Sequence, residues 1–581
     1  MAYPKNKVLL VNYAGYLLGA NTFIPDNSLG SLAAMLVRHG VPVEILDLQS
    51  PAAIGSVMDH ASGEAAREVL NALDRGEAPS PSLVARYHED RRQGEQWLLD
   101  STIRTILRKI PEEDVGLVGF KLWAGEGIRG AIRIAEAIRA EYPHVTLVAG
   151  GPAVQYCGET LREVTDVFDY LVPGDGEHAI LMLATQSMTT SGRATARRGL
   201  STEAFARQLR DALAHHGVQM RRQAGPGGWP RVAQLDDLPF PATDAGVYPG
   251  SEGFYKFRIL DETRGCFNSC AFCAHTSFNG HGIRRRTAAA VVDEMARLQR
   301  TEGVDYFRFS GSNPPWKLVV SIAEEILSRG LKLSYSAYCS LNNARPEHFG
   351  VMRESGMRSL FVGIESGDPT LLRRAHNKDN GSRDHVLRLC RAGMENDLFM
   401  ALSFIMPAPF ETEATKRATL DLIGDIFSGR SYGSVLLLPP QLTPKTLWWE
   451  RMSDYGFEFT PGVDRRSYVT SGVQQGSDYL LPFDTWADFG FRLHGKTMPE
   501  LLAECSEFSA QVERLGILTK VDDAGFMLAL IGGLDPYTYK RKVVRDLILG
   551  GKDRLSRLVG TLNQAARSKA CSAVHPCSTA A

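Results

Sequence analysis

Along the first 185 residues, short apolar runs alternate with stretches whose apolar residues recur every three to four positions. Val8 to Asn12 is an apolar run that gives way to Gly15, and Ser28 to His39 has helical periodicity with Gly40 where a C-cap belongs. The pattern repeats. Val43 to Asp47, Val115 to Phe120, Val145 to Ala149 and the short Tyr170 to Val172 read as strands, with a helix over Ile128 to Tyr142 between the third and fourth. Such alternation predicts a parallel, doubly wound α/β sheet, whose ligand crevice lies at the carboxyl ends of the strands where strand order reverses. Gly150-Gly151-Pro152 and Gly174-Asp175-Gly176-Glu177 fall at such ends, so backbone can approach a large ligand closely. Ordinary turn chemistry explains these glycines equally well, since no G-x-G-x-x-G is present.

Gln49 to Pro111 is polar and helix-favouring, with Glu64 to Leu73 and Ser82 to Leu107 as helical decoration on the sheet. Residues 186 to 245 read as a linker that mixes a Ser/Thr/Arg segment, a helical Ala204 to His215 and the Gly/Pro-rich Ala224 to Trp229. From about Glu450 onward, Pro499 to Leu515, Tyr537 to Leu549 and Asp553 to Ala566 have helical patterns. No internal repeat is present.

Composition narrows the field without naming a chemistry. The chain has 581 residues, 44% hydrophobic and 23% charged, which suits roughly three or four globular domains and excludes disorder, collagen and a disulfide-dense mini-fold. Its 65 basic residues nearly cancel its 66 acidic ones, so no global field favours nucleic acid or a membrane; small molecules or peptides are the expected partners. No stretch approaches the roughly 18 uninterrupted apolar residues that a membrane span needs. Lysines before Val8-Leu9-Leu10-Val11 superficially resemble a secretory leader. Asn12, Tyr13 and Gly15 break that stretch and no small-residue cleavage site follows, so it reads as a first buried strand. Nine cysteines are too few, and odd in number, for a secreted disulfide framework, and a cytoplasmic monomer is expected.

Three of those cysteines lie in Thr263-Arg264-Gly265-Cys266-Phe267-Asn268-Ser269-Cys270-Ala271-Phe272-Cys273, following the apolar strand Tyr255 to Leu260. C-x3-C-x2-C spacing on one loop can converge three thiolates on one centre. Three ligands leave one iron of a usual iron–sulfur cluster open to bind and activate something else. The alternative is structural zinc with His275 as fourth ligand, although Cys273 and His275 are crowded for that purpose.

The triad, with Phe272 just before its last cysteine, resembles the signature of the radical S-adenosylmethionine (SAM) enzymes. The following strand–helix units suit that family's partial, TIM-like (β/α)6 barrel: Tyr306 to Ser310 then Lys317 to Ser328, Lys332 to Tyr338 then Pro346 to Glu354, and Ser359 to Ile364 then Asp384 to Glu395. Leu398 to Met406 and Ser434 to Leu438 supply two more strands. The resemblance implies a 4Fe-4S cluster on Cys266, Cys270 and Cys273 whose open iron chelates SAM, reductive cleavage to a 5′-deoxyadenosyl radical, and an electron donor such as flavodoxin or ferredoxin. It implies SAM contacts from Phe272, from Ser310 and Gly311 in place of the glycine-rich amino-contacting motif, and from Glu365 within Gly363-Ile364-Glu365-Ser366-Gly367. The arginine that often ends the third barrel strand to meet the SAM carboxylate is absent from Ser336-Ala337-Tyr338-Cys339-Ser340. Ser336 or Tyr338 is a candidate for that contact, or a plain core or strand-end residue. Ser312-Asn313-Pro314-Pro315-Trp316 reads as a substrate-facing variation.

A doubly wound domain, then Leu235-Asp236-Asp237-Leu238-Pro239-Phe240-Pro241, then the triad, is similar over roughly residues 5 to 450 to the cobalamin-dependent radical SAM enzymes, the class B methyltransferases. On this resemblance, residues 1–185 form a Rossmann-like cobalamin-binding domain with a helical insertion at about 50–110. Residues 186–245 are a linker and 246–450 the radical SAM partial barrel. Residues 451–566 form a mainly helical C-terminal domain that closes over the barrel and shares substrate contacts with Pro439-Pro440-Gln441-Leu442-Thr443-Pro444; residues 567–581 are a disordered tail holding Cys571 and Cys577. Cobalamin contacts are expected from Asn12, Leu122, Trp123, Gly150, Gly151, Pro152, Gly174, Asp175, Gly176 and Glu177. No D-x-H-x-x-G occurs to supply a lower axial histidine. Lys121, Leu122 and Trp123 are candidates for the lower face of cobalt, although Leu122 and Trp123 equally suit packing against the inserted helices. The implied chemistry is C-methylation of an unactivated carbon in a small-molecule or peptide natural-product intermediate, with one SAM methylating cobalamin and a second cleaved to the radical that removes a substrate hydrogen. The alternatives are a cobalamin-dependent rearrangement or cyclisation, sp2-carbon methylation without hydrogen abstraction, and a non-enzymatic cobalamin- or SAM-binding sensor.

Overall fold

The computed structural model describes residues 6–574 except 14, 16–22, 76, 78, 124, 190–200, 216–219, 221–227, 281, 430–431 and 470–488. Five strands, β1 (Lys7–Tyr13), β2 (Val43–Asp47), β3 (Val115–Leu122), β4 (Thr146–Gly150) and β5 (Tyr170–Val172), form one parallel sheet in the order β2-β1-β3-β4-β5. They are near-continuous apolar runs because helices cover both faces. Leu9 and Val11 pack with Ile128 and Ile134 of the helix Glu126–Glu141, whereas Val8 and Leu10 pack with Leu29, Ala33 and Leu36 of Asn27–Arg38. Strand order reverses between β1 and β3, so their carboxyl ends open the crevice. Helices Pro51–His60, Glu64–Asp74 and Pro81–Glu112 fill the stretch between β2 and β3. Within 186–245, the helix Thr202–His215 docks Phe205 and Leu209 on the sheet core, so this stretch is partly core. Residues 224–227 of its Gly/Pro-rich segment lie outside the described residues.

The second sheet joins β6 (Phe257–Leu260), β9 (Tyr306–Phe309), β10 (Ser334–Cys339), β11 (Met357–Glu365), β12 (Phe399–Ile405) and β13 (Gly433–Leu438) in the order β13-β12-β11-β10-β9-β6, all neighbours parallel. Helices follow the strands, giving an open six-stranded barrel. Between β6 and β9 a short antiparallel pair, β7 (Thr263–Cys266) and β8 (Gly282–Arg285), carries the cysteine loop at the barrel's carboxyl end.

The C-terminal region divides in two. Trp448 and the segment after it lie beside the cysteine loop, Trp448 N donating to Ala271 O. The helix Asp523–Gly532 instead packs at the amino-terminal end of the barrel: Phe526 stacks on Phe399, the first residue of β12, at 4.1 Å, and shares a core with Phe257, the first residue of β6. Helices Pro536–Leu549 and Lys552–Val574 then pack on the inserted helices of the first domain. The later helices therefore seal the end of the barrel opposite the cysteines instead of closing over its mouth. Their apolar residues face the barrel's lower layer. The last helix runs to Val574, through residues expected to be disordered, and 575–581, including Cys577, lie outside the described residues. No helix among the described residues is long and apolar enough to cross a membrane.

Candidate functional site

The triad is held by backbone and by two asparagine side chains. Cys266 ends β7, where Gly265 has φ +103° and lies so close to β8 that a Cβ would sit 2.2 Å from Gly282 O. Ala271 N donates to His376 O at 2.8 Å, Cys273 N to Cys270 O at 3.1 Å, and Asn377 Nδ2 to Ser269 O at 2.8 Å. The Cys266 sulfur accepts from Asn268 N at 3.4 Å and Asn313 Nδ2 at 3.7 Å. Burial pushes the Cys270 thiol up to about 12 and raises Cys273, and Cys266 lies near enough to both to add to the rise. Thiols so placed keep their protons until a metal displaces them, since only the thiolate is a ligand.

Zinc fits this arrangement poorly. His275 Nε2 pairs with Ser312 Oγ at 2.7 Å, and among the described residues no three His, Cys, Asp or Glu side chains are placed to hold one metal ion. A four-iron cluster takes each thiolate on a separate iron, and three neighbouring thiols without a fourth protein donor match a cluster with one open corner. Beneath the loop, His376 is fully buried, edge-on to Phe272 at 5.7 Å, with both ring nitrogens unpartnered. Burial, with Lys378 nearby, holds its pKa down to about 3, so it is neutral.

The residues expected to meet SAM divide. Phe272 belongs to the loop. Ser310 lines the cavity described below, and Gly311 N donates to both carboxylate oxygens of the buried Glu262 at 3.1 and 3.2 Å. Burial pushes the Glu262 carboxyl up to about 8. Glu365, at φ +69°, lies near Cys270 and Cys273, and Lys378 Nζ reaches its Oε1 at 2.8 Å and Gly363 O at 2.5 Å. Ser336 and Tyr338 lie elsewhere: Ser336 Oγ donates to Asp523 Oδ2 at 3.0 Å, and Tyr338 OH accepts from Arg308 Nη2 at 3.0 Å, within a buried Arg308–Asp523 pair. Lys378 escapes sequence reading because no periodicity ties it to the cysteines; Asn313, expected in a substrate-facing segment, is placed by the structure on the Cys266 sulfur, its Oδ1 accepting from Asn343 Nδ2 at 2.8 Å.

A cavity of about 490 Å³ spans the two domains. The sheet contributes Lys121, Trp123, Gly150, Gly151, Pro152, Gly174, Asp175, Gly176 and Glu177; the barrel contributes Asp261, Thr263, Arg264, His275, Phe278 and Ser310. Asn12 and Leu122 are not in the wall. Leu122 is buried in the sheet core, and Asn12 Oδ1 accepts from Trp123 Nε1 at 2.7 Å, fixing the ring from behind. Asn12 Nδ2 in turn donates to Asp47 Oδ1 at 2.8 Å, and Tyr248 OH donates to Asp47 Oδ2. Lys121 pairs with Asp26 and sits 4.5 Å over the Trp123 ring. Glycine backbone on one wall and an aromatic ring beside a paired lysine on another fit a large planar group approached from its faces. His275 is the sole histidine in the described lining, and it is engaged with Ser312.

Residues 262–423 match the model of the radical SAM superfamily and residues 82–184 that of the B12 binding domain. The chain is 24% identical over 390 residues to the cobalamin-dependent radical SAM methyltransferase TokK of Streptomyces tokunonensis, covering 64% of this chain and 53% of that protein. It is 27% identical over 237 residues to the hopanoid C-2 methylase of Rhodopseudomonas palustris, covering 40% and 42%. The chain thus spans about half the length of the curated relatives it matches. In fold it is similar to the radical SAM methyltransferase TsrM of Kitasatospora setae, with cobalamin and a 4Fe-4S cluster bound, at TM-score 0.58 and 17% identity over 97% of this chain and 100% of that one. The radical SAM enzyme OxsB, with aqua-cobalamin and SAM bound, aligns at TM-score 0.54 and 14% identity over 98% and 80%. The two domains assign the chain a 4Fe-4S cluster, SAM and cobalamin as cofactors. A B12 binding domain leading into a radical SAM domain is thus what the two family matches, the glycine-lined sheet and the cysteine-bearing barrel agree on.

Proposed function

We propose that the protein is a cobalamin-dependent radical SAM C-methyltransferase acting on an unactivated carbon of a small-molecule or peptide natural-product intermediate. The observation that carries this reading is the single cavity whose walls come from both the glycine loops of the sheet and the residues flanking the cysteine triad. When bound, the cluster supplies an open iron and an electron for cleaving SAM, and cobalamin supplies a methyl carrier.

The chain's own residues supply position and environment. Cys266, Cys270 and Cys273 would hold the iron, and Phe272, Ser310, Gly311 and Glu365 would contact SAM. Gly150, Gly151, Gly174 and Gly176 would let backbone approach the corrin. Lys121, neutralised by Asp26, and Trp123, held by Asn12, would form a wall without a metal-ligating nitrogen. Ser336 and Tyr338, tied to Arg308 and Asp523, would support the barrel floor, leaving Lys378 as the cation near Glu365. Substrate contacts would come from Pro439 to Pro444 and from the segment at Trp448, which lies on the cysteine side. Relatives whose names specify methylation, including the cytidylyl-2-hydroxyethylphosphonate methyltransferase of Streptomyces wedmorensis, support methyl transfer. A cytoplasmic monomer served by flavodoxin or ferredoxin completes the proposal.

Anaerobic incubation of the reconstituted protein with candidate substrate, methyl-labelled SAM and titanium(III) citrate, with the product read by mass, tests it. Release of both S-adenosylhomocysteine and 5′-deoxyadenosine is expected. 5′-Deoxyadenosine alone would indicate a rearrangement or cyclisation, S-adenosylhomocysteine alone an sp2-carbon methylase, and cobalamin binding without either a sensor.

A further inference from the structure

Register places Arg264 of β7 directly opposite Arg284 of β8, and directly opposed residues project from the same face of a ladder. Two adjacent guanidiniums repel unless anions separate them. Two of the anions come from the other domain. Asp175 accepts both terminal nitrogens of Arg284, one at 3.1 Å, and lies 3.5 Å from Arg264 Nη1, while Glu177 takes Arg264 Nη2 at 2.7 Å. Asp261 binds the same Arg264 Nη2 at 2.7 Å and reaches Arg286 Nη2 at 3.2 Å. Side-chain exposure within this group runs from 1% to 18%. Three arginines and three carboxylates pair directly here, and the buried Arg231 adds a further positive charge near Asp175. Burial pushes the Asp175 carboxyl up, but Arg284 and Arg264 outweigh it and hold the pKa down to about 2.

The same short loop does two things, since Asp175 and Glu177 line the cavity together with the glycines and also pair with the hairpin. Gly174 and Gly176 form cavity wall, and the carboxylates beside them grip the hairpin whose β7 ends in Cys266. We infer that the Asp175–Glu177–Arg264–Arg284 group is a positioning device that locks the corrin-side loop to the cluster-bearing hairpin, so that both cofactors sit in one fixed relation. These are positioning residues, and the inference rests on the cofactor reading above. Removing Arg264 strips Glu177 of its 2.7 Å partner, and removing Glu177 leaves Arg264 with Asp261 and Asp175 but one buried charge out of balance; either change costs more than the pair contributes.

The test uses full-length, anaerobically reconstituted wild type, Glu177→Gln, Arg264→Gln and the double variant. Iron is counted, hydroxocobalamin is titrated by visible absorbance, and the dipolar coupling between cob(II)alamin and the reduced cluster is measured by pulsed EPR. Wild type should give one narrow coupling. Each single variant should keep its iron, bind hydroxocobalamin roughly 30-fold or more weakly, and show a broadened coupling; the double variant, which removes both charges, should recover part of the affinity. Should a single variant fail to fold, the remaining single variant and the double variant carry the comparison. Unchanged affinity and an unchanged narrow coupling in the variants would overturn the positioning role. A wild type lacking iron or cobalamin would overturn the cofactor reading instead, so the two failures are distinguishable.

Discussion

At the residue scale, the sharpest electrostatic consequence lies at Asp47, on the cavity wall. Burial, reinforced by Asp26, pushes its carboxyl up to about 6 against the opposing hydrogen bonds from Tyr248, Gln49 and Asn12. A carboxyl whose folded pKa exceeds its unfolded value of about 3.9 favours the folded state fully only below that value. The contribution is lost as pH rises through about 6. The full shift corresponds to about 3 kcal/mol, of which about 2 kcal/mol falls between pH 4 and pH 7.5. Asp47→Asn should therefore gain about that much relative to wild type between pH 4 and pH 7.5 in paired thermal melts; a stability difference that does not move with pH contradicts this. Replacing Cys266, Cys270 and Cys273 together by Ala should abolish iron binding and leave the corrinoid bound, as read by metal analysis. Loss of both would mean that the triad supports the fold at large. The triad was legible because its ligand spacing is local. Lys378 and Glu262 were not, since an ion pair that spans the short helix Pro369–His376 and a carboxyl accepting from a distant backbone N–H leave no mark on periodicity.

At the element scale, most strands of both sheets were legible because buried parallel strands are continuous apolar runs bounded by glycine or polar residues. The pair β7–β8 escaped notice: Thr263–Cys266 and Gly282–Arg285 are each four residues long and rich in arginine and glycine. The helix Asp523–Gly532 escaped for the opposite reason. It is apolar on nearly every side, so it has no amphipathic signature, and only its burial on the barrel floor makes it a helix worth having. The turn after β9 is tight enough to test. A Cβ on Gly311 would lie 1.8 Å from Thr263 Oγ1 and 2.2 Å from Glu262 Oε1, so Gly311→Ala should lower stability by about 1–3 kcal/mol in denaturant unfolding. An unchanged midpoint would show that the turn can relax.

At the scale of the whole molecule, domain order was legible from the alternation pattern followed by the triad. The wrapping of the C-terminal helices was not, since it depends on contacts with residues hundreds of positions away. Asp523 binds Arg308 through both oxygens, at 2.7 and 2.8 Å, and accepts from Ser336. Asp523→Ala should cost about 3–5 kcal/mol by leaving Arg308 buried without its partner; a loss well under that range would place water or another anion at the floor. The central claim is that one chain holds an open-cornered iron cluster and a corrinoid across one cavity. Iron, cobalt and zinc counted on protein reconstituted anaerobically with iron, sulfide and hydroxocobalamin test it most directly. About four irons and one cobalt per chain are predicted from a site-differentiated cluster and a corrin cavity; zinc in place of iron, or protein free of cobalt, would contradict it.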